Sequence, residues 1–443
     1  MFALSQRLFT HDEHLAELIT KSGINLTFRF AGMLLGFLFV WLVIRWFGTS
    51  VYGKWALAFS ILSIVSGLVS FGIGTSIVFL VANSRAANQP RRLRDAYLKS
   101  LTLLGVSGIL CGVGLFAFSD FLAYTVFKKP GLEVLLRIAA FGVLPINIVM
   151  LNGGALRGLR QISAHSFVER TGTPLFAIAL LILGSAAFDF GNFFALAYVG
   201  SLWLLAGVSY VLWAWLSGFS KLPKSSERFT YRQLFDVSMP MYVVSSVNMV
   251  RGWSAIIILG LFWRDVDLAA FALVMRIATL TAMPLLAINS TAAPKFAEFH
   301  TRGDISGLRR FARQTTRNIF WLSFPILFVL LFFGKTVLGV FDGALTFGAV
   351  ALVILALGHF FNAISGSTGL LLIMTGRQHL QRNIAVLTTV LSVILNCILI
   401  PPYGLEGAAI ATSLSIVVNN AAGLYKIKME FAFVPIYFPR LYK

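Results

Sequence analysis

The sequence predicts an all-α polytopic membrane protein of about twelve transmembrane helices, arranged as two six-helix lobes related by an internal parallel repeat. Of its 443 residues 58% are hydrophobic and only 12% charged, where a soluble domain runs near 25% charged. Apolar runs of about 20 residues, the length that crosses roughly 30 Å of hydrocarbon as a helix, recur from end to end. Between them the basic residues collect in short loops that alternate with nearly neutral ones.

Residues 1–22 form the first element. Leu4, Leu8, Leu15, Leu18 and Ile19 recur at roughly helical spacing, which suits an amphipathic helix on the cytoplasmic membrane surface; a solvated tail fits the same residues. No short apolar core with a small-residue cleavage site precedes the first span, so a cleavable signal is not expected. The N-lobe, residues 23–217, holds six expected spans: Gly23 to Phe47, Lys54 to Ala82, Tyr97 to Phe118, Leu132 to Leu156, Thr171 to Phe188 and Asn192 to Ser217. The polar stretch KLPKSSERFTYRQLF marks a cytoplasmic linker, residues 218–236. The C-lobe, residues 237–428, repeats the plan with Val237 to Phe262, Leu268 to Pro294, Thr316 to Phe333, Thr346 to Met374, Asn383 to Ile400 and Leu405 to Ile427. Residues 429–443, aromatic and basic, suit a tail at the membrane interface.

The repeat shows in two places. GALRGLRQISAHSF, leaving the fourth span, resembles GLLLIMTGRQHLQRN, leaving the tenth, and FDFGNFFALAYVGS matches PPYGLEGAAIATS in position. Six spans repeated in one orientation imply two bundles about an axis along the membrane normal, with a site between them.

Loops after even-numbered spans carry Arg91, Arg92 and Arg94, then Arg157, Arg160 and Arg170, then Lys221 and Lys224, then Arg309 and Arg310, then Arg377 and Arg382. The opposite loops offer little beyond Lys54, Lys128, Lys129, Arg264 and Lys335, so both termini are expected in the cytoplasm. These loops also account for the net charge of +19. No basic domain stands outside the membrane, so nucleic acid is not an expected partner, while membrane lipid headgroups are. Cys111 and Cys397 lie in apolar runs of opposite halves and read as small packing residues, not as a disulfide or metal pair. No metal site, cofactor motif or phosphate-binding loop is present.

Four arginines fall inside apolar runs, where an unpartnered cation costs about 2.5 to 3.5 kcal/mol. Arg29, with Asn25 beside it, is roughly 9 Å into the first span. Arg251, preceded by Asn248, is near the middle of the seventh, and Arg276 and Arg137 enter from the outer side in the eighth and fourth. Ordered by depth they form a ladder suited to an anion crossing between leaflets, because guanidinium grips phosphate in a bidentate fork. Snorkelling or pairing with an acid is the simpler alternative, as for Arg264 beside Asp265. His359 is the one deep titratable group; with Asp236 at a span end it is a candidate for ion coupling, and a packing histidine is the alternative. Ser60, Ser63, Gly67, Ser70 and Gly74 recur at helical spacing in the second span, a pattern that serves close helix packing.

With these residues in place, the chain resembles polysaccharide flippases of the Wzx type, in the multidrug/oligosaccharidyl-lipid/polysaccharide exporter superfamily that also holds the lipid II flippase. Arg29, the outer turn FGTSVYGKWALAFSILSIVSGLVSFGIG, the GALRGLRQISAHSF and TGRQHLQRN turns and PPYGLEGAAIATS carry the resemblance, which covers nearly the whole chain. It implies transport of an undecaprenyl-diphosphate-linked oligosaccharide, an O-antigen, capsule or exopolysaccharide repeat unit, to the periplasmic leaflet of a bacterial inner membrane by alternating access. It also implies a polymerase and a chain-length regulator as partners, and diphosphate-binding arginines in the first and eighth spans, matched here by Arg29 and Arg276. Two rivals stand beside it. One is a multidrug or metabolite exporter of the same superfamily. The other is a membrane glycosyltransferase or O-antigen ligase using the acid pair Asp265 and Asp267; short outer loops argue against an enzyme.

Overall fold

The structure is a computed structural model that describes residues 27–185, 191–219 and 229–437. The expected surface helix over 1–22, Asn25, linker residues 220–228 and tail residues 438–443 lie outside the described residues. Within them the regular structure is helical.

The first expected span forms α1, Thr27–Phe47. The second is interrupted: α2, Thr49–Val69, ends in a turn and α3, Ile73–Ala86, resumes. Phe71 and Gly72 both take positive φ at this break, 45° and 72°. Ser70 stabilises it by donating to Gly67 O at 2.7 Å and accepting from Gly72 N at 3.4 Å. A Cβ on Gly72 would sit 2.6 Å from Ser238 O and from Tyr242 N, so only glycine lets the two backbones meet there. The small-residue stripe thus serves packing at this point.

The chain continues with α4, Pro90–Ala117, a π-helical turn Phe121–Val126, then α5, Leu132–Ala140, and α6, Val143–Gly158. α5 and α6 are bent by 44° at their break and together are long and apolar enough for one crossing. α7, Ile162–Gly184, starts earlier than expected, and α8 is Phe193–Ser217. The second half comprises α9, Tyr231–Phe262, α10, Asp265–Ala278, a 3-10 turn Thr279–Ala282, and α11, Met283–Thr301. It ends with α12, Ile305–Gly339, α13, Ala349–Ile364, α14, Thr368–Met374, and α15, Gln378–Phe431.

Among the described residues ten helices are long and apolar enough to cross a membrane, eleven with the bent pair. α15 has 54 residues, about 80 Å at the helical rise, more than twice the hydrocarbon thickness. It breaks at Gly404, where φ is 54° and ψ −125°. Its two arms are the expected eleventh and twelfth spans.

The residues fall into two compact units. One comprises residues up to Val43, Leu62–Leu122 and Gly131–Ser246; the other comprises Ile44–Ile61, Ala123–Pro130 and the chain from Val247 onward. In the first, Tyr97 stacks on Trp213 with ring centroids 4.8 Å apart. The Tyr97 hydroxyl donates to Asn152 Oδ1 at 2.7 Å, and Asn152 Nδ2 donates to Ser209 Oγ at 2.9 Å. That chain of buried polar groups ties α4, α6 and α8 where water cannot compete. In the second, Trp263 Nε1 donates to Ile400 O at 2.9 Å. Cys111 and Cys397 are both exposed, one in each unit, so they do not pack inside as expected.

A Cβ on Gly404 would approach the Trp263 indole to 2.6 Å, in a backbone region that other residues rarely adopt. Gly404→Ala is expected to destabilise the protein by about 2 kcal/mol or more, lowering its unfolding temperature in detergent. Gly114→Ala, with nothing within 4 Å of its Cβ, leaves that temperature unchanged or raises it.

Candidate functional site: arginines within the membrane helices

Arg29 lies half-buried on α1. There α1 rests directly on α7: a Cβ on Gly32 would fall 2.3 Å from Arg170 O. Thr171 Oγ1 donates to Phe28 O at 2.9 Å. This contact coincides with a π-helical turn, Phe167–Thr171, a widening of the helix often found at functional positions. It brings Arg29 within electrostatic reach of Arg170, and the two charges repel. Glu169 next door leans to His165, whose Nδ1 is 3.6 Å from Oε1. Among the described residues no carboxylate pairs with Arg29 or Arg170. Two adjacent guanidiniums without a counter-ion are what a dianion such as a diphosphate would neutralise.

Arg170 was not among the expected site residues. The fifth span was expected from Thr171, which leaves Arg170 in a loop. α7 starts at Ile162 instead, and Arg170 lies roughly 12 Å along it at the helical rise.

Arg251 is half-buried on α9 and donates from Nη2 to Asn248 Oδ1 at 3.2 Å, so these two expected site residues do come together. Arg276 is exposed on α10, within electrostatic reach of the buried Tyr52 on α2. Arg137 is engaged elsewhere: Nη2 donates to both Asp120 oxygens, at 2.8 and 2.7 Å, and Nε to Ser119 Oγ at 3.2 Å. Its guanidinium also lies 5.8 Å from the Phe116 ring centre. A cation so completely partnered is an anchor for the α4–α5 connection, and it does not continue the ladder. Asp236 is exposed near the start of α9 and belongs to the first unit, and His359 belongs to the second. Both ring nitrogens of His359 are buried and without a hydrogen-bond partner.

A second cluster of charges sits on the side opposite the basic loops. Lys129, 8% exposed, donates to Trp263 O at 2.7 Å and pairs with Asp265 at 2.9 Å. Lys54 reaches Asp265 at 3.7 Å and donates to Pro130 O at 2.6 Å. The α2 backbone lies directly on this turn, since a Cβ on Gly53 would be 1.8 Å from Asp265 O. Asp265 therefore faces two lysines distant in sequence, and the neighbour expected for it, Arg264, pairs with Asp267 at 3.3 Å. Both members of the acid pair are thus held by basic groups, and no cluster of three metal-ligating side chains occurs among the described residues. Beside them Thr49 Oγ1 donates to Asp342 Oδ2. That hydroxyl, then the Ala344 N–H, hold the Asp342 carboxyl below the usual carboxylate range.

The family described as polysaccharide biosynthesis protein matches residues 18–300, and the family described as MatE matches residues 240–398. A probable low-salt glycan biosynthesis flippase from Haloferax volcanii is 28% identical over 221 residues, 49% of this chain and 46% of that protein. The chain thus spans about half the length of the curated relative it matches. Among solved structures, an inward-facing multidrug resistance transporter of the MATE family superposes with a TM-score of 0.74 at 16% identity, covering 93% of this chain and 98% of that one. The lipid II flippase MurJ in an inward closed conformation superposes with 0.73 at 12% identity, covering 93% and 87%. At these identities the superpositions show the fold.

Removing one partner from a largely buried pair strands the other, whereas exposed pairs contribute little. Asp265→Ala is expected to cost about 3 kcal/mol and Asp120→Ala at most about 1 kcal/mol, read as shifts in thermal or denaturant unfolding. The depressed Asp342 carboxyl contributes stability that is present above its unfolded value, about 3.9, and lost as pH falls through its lower folded value. Thr49→Val removes that contribution, so the variant's stability falls less steeply than the wild type's below about pH 4.

Proposed function

We infer, from the premise that the chain belongs to the family of polysaccharide biosynthesis proteins, that it is a flippase carrying a lipid-linked oligosaccharide from the leaflet at its basic loops to the opposite leaflet. The observation that carries this is the Arg29–Arg170 pair, two like charges within electrostatic reach of each other in membrane helices, with no acid paired to either among the described residues. A polyprenyl diphosphate such as undecaprenyl diphosphate supplies the missing charge and leaves its apolar tail in lipid. In the second unit, Arg251, held by Asn248, and the exposed Arg276 are further candidate contacts for the diphosphate. Charge in hydrocarbon without partners is prohibitive, so successive cations are what such a path requires.

By the positive-inside rule we read the basic loops and both termini as cytoplasmic, which makes the direction outward. In a bacterium the membrane is the inner membrane, and the glycan is an O-antigen, capsule or exopolysaccharide unit passed to a polymerase and its chain-length regulator. An exporter of cationic drugs is less well supported. Among the described residues Asp267 is the one fully buried carboxylate, and Arg264 already pairs with it. The MurJ and glycan flippase likenesses, and the pairing of both Asp265 and Asp267 with basic groups, favour transport over glycosyl transfer.

The test is a flipping assay with the full chain in proteoliposomes, using a fluorescent undecaprenyl-diphosphate oligosaccharide and an impermeant glycosidase to report arrival at the opposite leaflet. Arg29→Ala and Arg170→Ala are each expected to slow flipping about tenfold or more, the loss of one bidentate charge contact. Arg29→Lys, which keeps the charge without the fork, falls in between. Arg137→Ala leaves the rate near wild type. No acceleration by the wild-type chain, or full activity of the Arg29→Ala, Arg170→Ala double variant, would overturn the reading.

A further inference from the structure

One group of buried polar atoms in the C-terminal unit is used neither by packing nor by the arginines. Leu285 of α11, Ile319 of α12 and Ala363 of α13 pack in one apolar cluster. One helical turn from each, toward the start of α13, stands a polar side chain: Thr281 in the 3-10 turn before α11, Ser323 on α12 and His359 on α13. The register sets them at one level. Phe320 packs on Phe360 with centroids 5.6 Å apart. A Cβ on Gly334 would meet Leu352 Cδ2 at 3.4 Å, so α12 and α13 run antiparallel with 319 opposite 363 and 323 opposite 359. A Cβ on Gly348 would meet Val274 Cγ2 at 3.3 Å, so α10 and the 3-10 turn that follows it run alongside α13 in its own direction.

Thr281 and Ser323 are both 0% exposed. Thr281 Oγ1, Ser323 Oγ and both ring nitrogens of His359 lack any hydrogen-bond partner. Each such buried atom costs about 1 to 3 kcal/mol, and four converging at one level is not an arrangement that packing favours. Polar walls of this kind hold water, since a water finds the two to four partners it needs. Of the three side chains only the imidazole exchanges a proton near neutral pH; the hydroxyls donate and accept without titrating. Several elements pack against α13: α10, the 3-10 turn, α12 and α15. Their nearest charged groups in register are Arg276, Arg317 and Glu406, each more than a helical turn away, and Tyr437 lies against Phe320. Among the described residues no carboxylate stands at this level, so a metal cation would meet neutral ligands alone, whereas a proton needs one lone pair.

We propose that His359, Thr281 and Ser323 form a hydrated proton-acceptor site in the C-terminal unit, in which His359 takes a proton from hydronium and the two hydroxyls orient the water that delivers it. The ring goes from imidazole to imidazolium and a water molecule remains; nothing else is consumed. The role of this site in driving transport rests on the flippase reading, but its occupancy by water and a proton does not.

The first test is therefore independent of flipping. The full chain, labelled with 15N-histidine and placed in phospholipid nanodiscs, is followed by NMR from about pH 5 to about pH 8, with His359→Gln identifying the resonance. The expected result is a water-exchanging ring that gains a proton within this range, with a midpoint moved by the double substitution Thr281→Val, Ser323→Ala. A ring that stays neutral and dry throughout, or a midpoint that ignores the hydroxyls, overturns the proposal. The second test imposes a pH gradient in the flipping assay. His359→Gln is expected to lose the gradient's acceleration about tenfold while keeping the gradient-free rate. Acceleration equal to wild type in His359→Gln refutes coupling, while a wild type that does not flip at all refutes the transport reading and leaves the NMR result standing.

Discussion

A charge inside hydrocarbon must find a partner, and most of what distinguishes this structure from a plain bundle of apolar helices follows from that constraint. It is met in three ways. Arg137 is satisfied by its own neighbourhood, in a bidentate pair with Asp120 that closes the α4–α5 connection. Lys129 is satisfied at long range: its pairing with Asp265 joins residues far apart in sequence, and the α2 backbone lies on the same turn. Among the described residues Arg29 and Arg170 are satisfied in neither way, and the contact of Gly32 with the α7 backbone brings the two within electrostatic reach. Two solutions stabilise the fold. The third leaves a charge deficit that a ligand can fill.

Much of this architecture was legible in the sequence because hydropathy over about 20 residues is a strong, local signal. The positions of the spans follow from it. Interruptions did not, because a break inside an apolar run changes backbone geometry without changing hydropathy. Phe71 is as apolar in a left-handed turn as in a helix, so the second expected span gave no warning of its division into α2 and α3. The same holds for the 44° bend between α5 and α6.

The arginine positions were readable one by one, and their partners were not. Arg170 was misplaced because GLRQISAHSFVER is polar enough to pass for a loop, while in the structure the part from Ile162 onward forms the first turns of α7. Asp265 was matched to its sequence neighbour Arg264, although its neighbours in space are Lys54 and Lys129. Pairing in space is a property of helix packing, and a single sequence carries it only where spacing along one helix decides the contact. Asn248 and Arg251 are such a case, one turn apart on α9 and joined by a hydrogen bond.

The two cysteines acquire a use from their exposure. Cys111 and Cys397 are the only thiols in the chain, each is open at the surface, and each belongs to a different compact unit. The native sequence is therefore already a doubly labelled ruler. A spin or fluorophore pair attached to the unmodified protein reports the separation of the two units without any cysteine having to be introduced or removed.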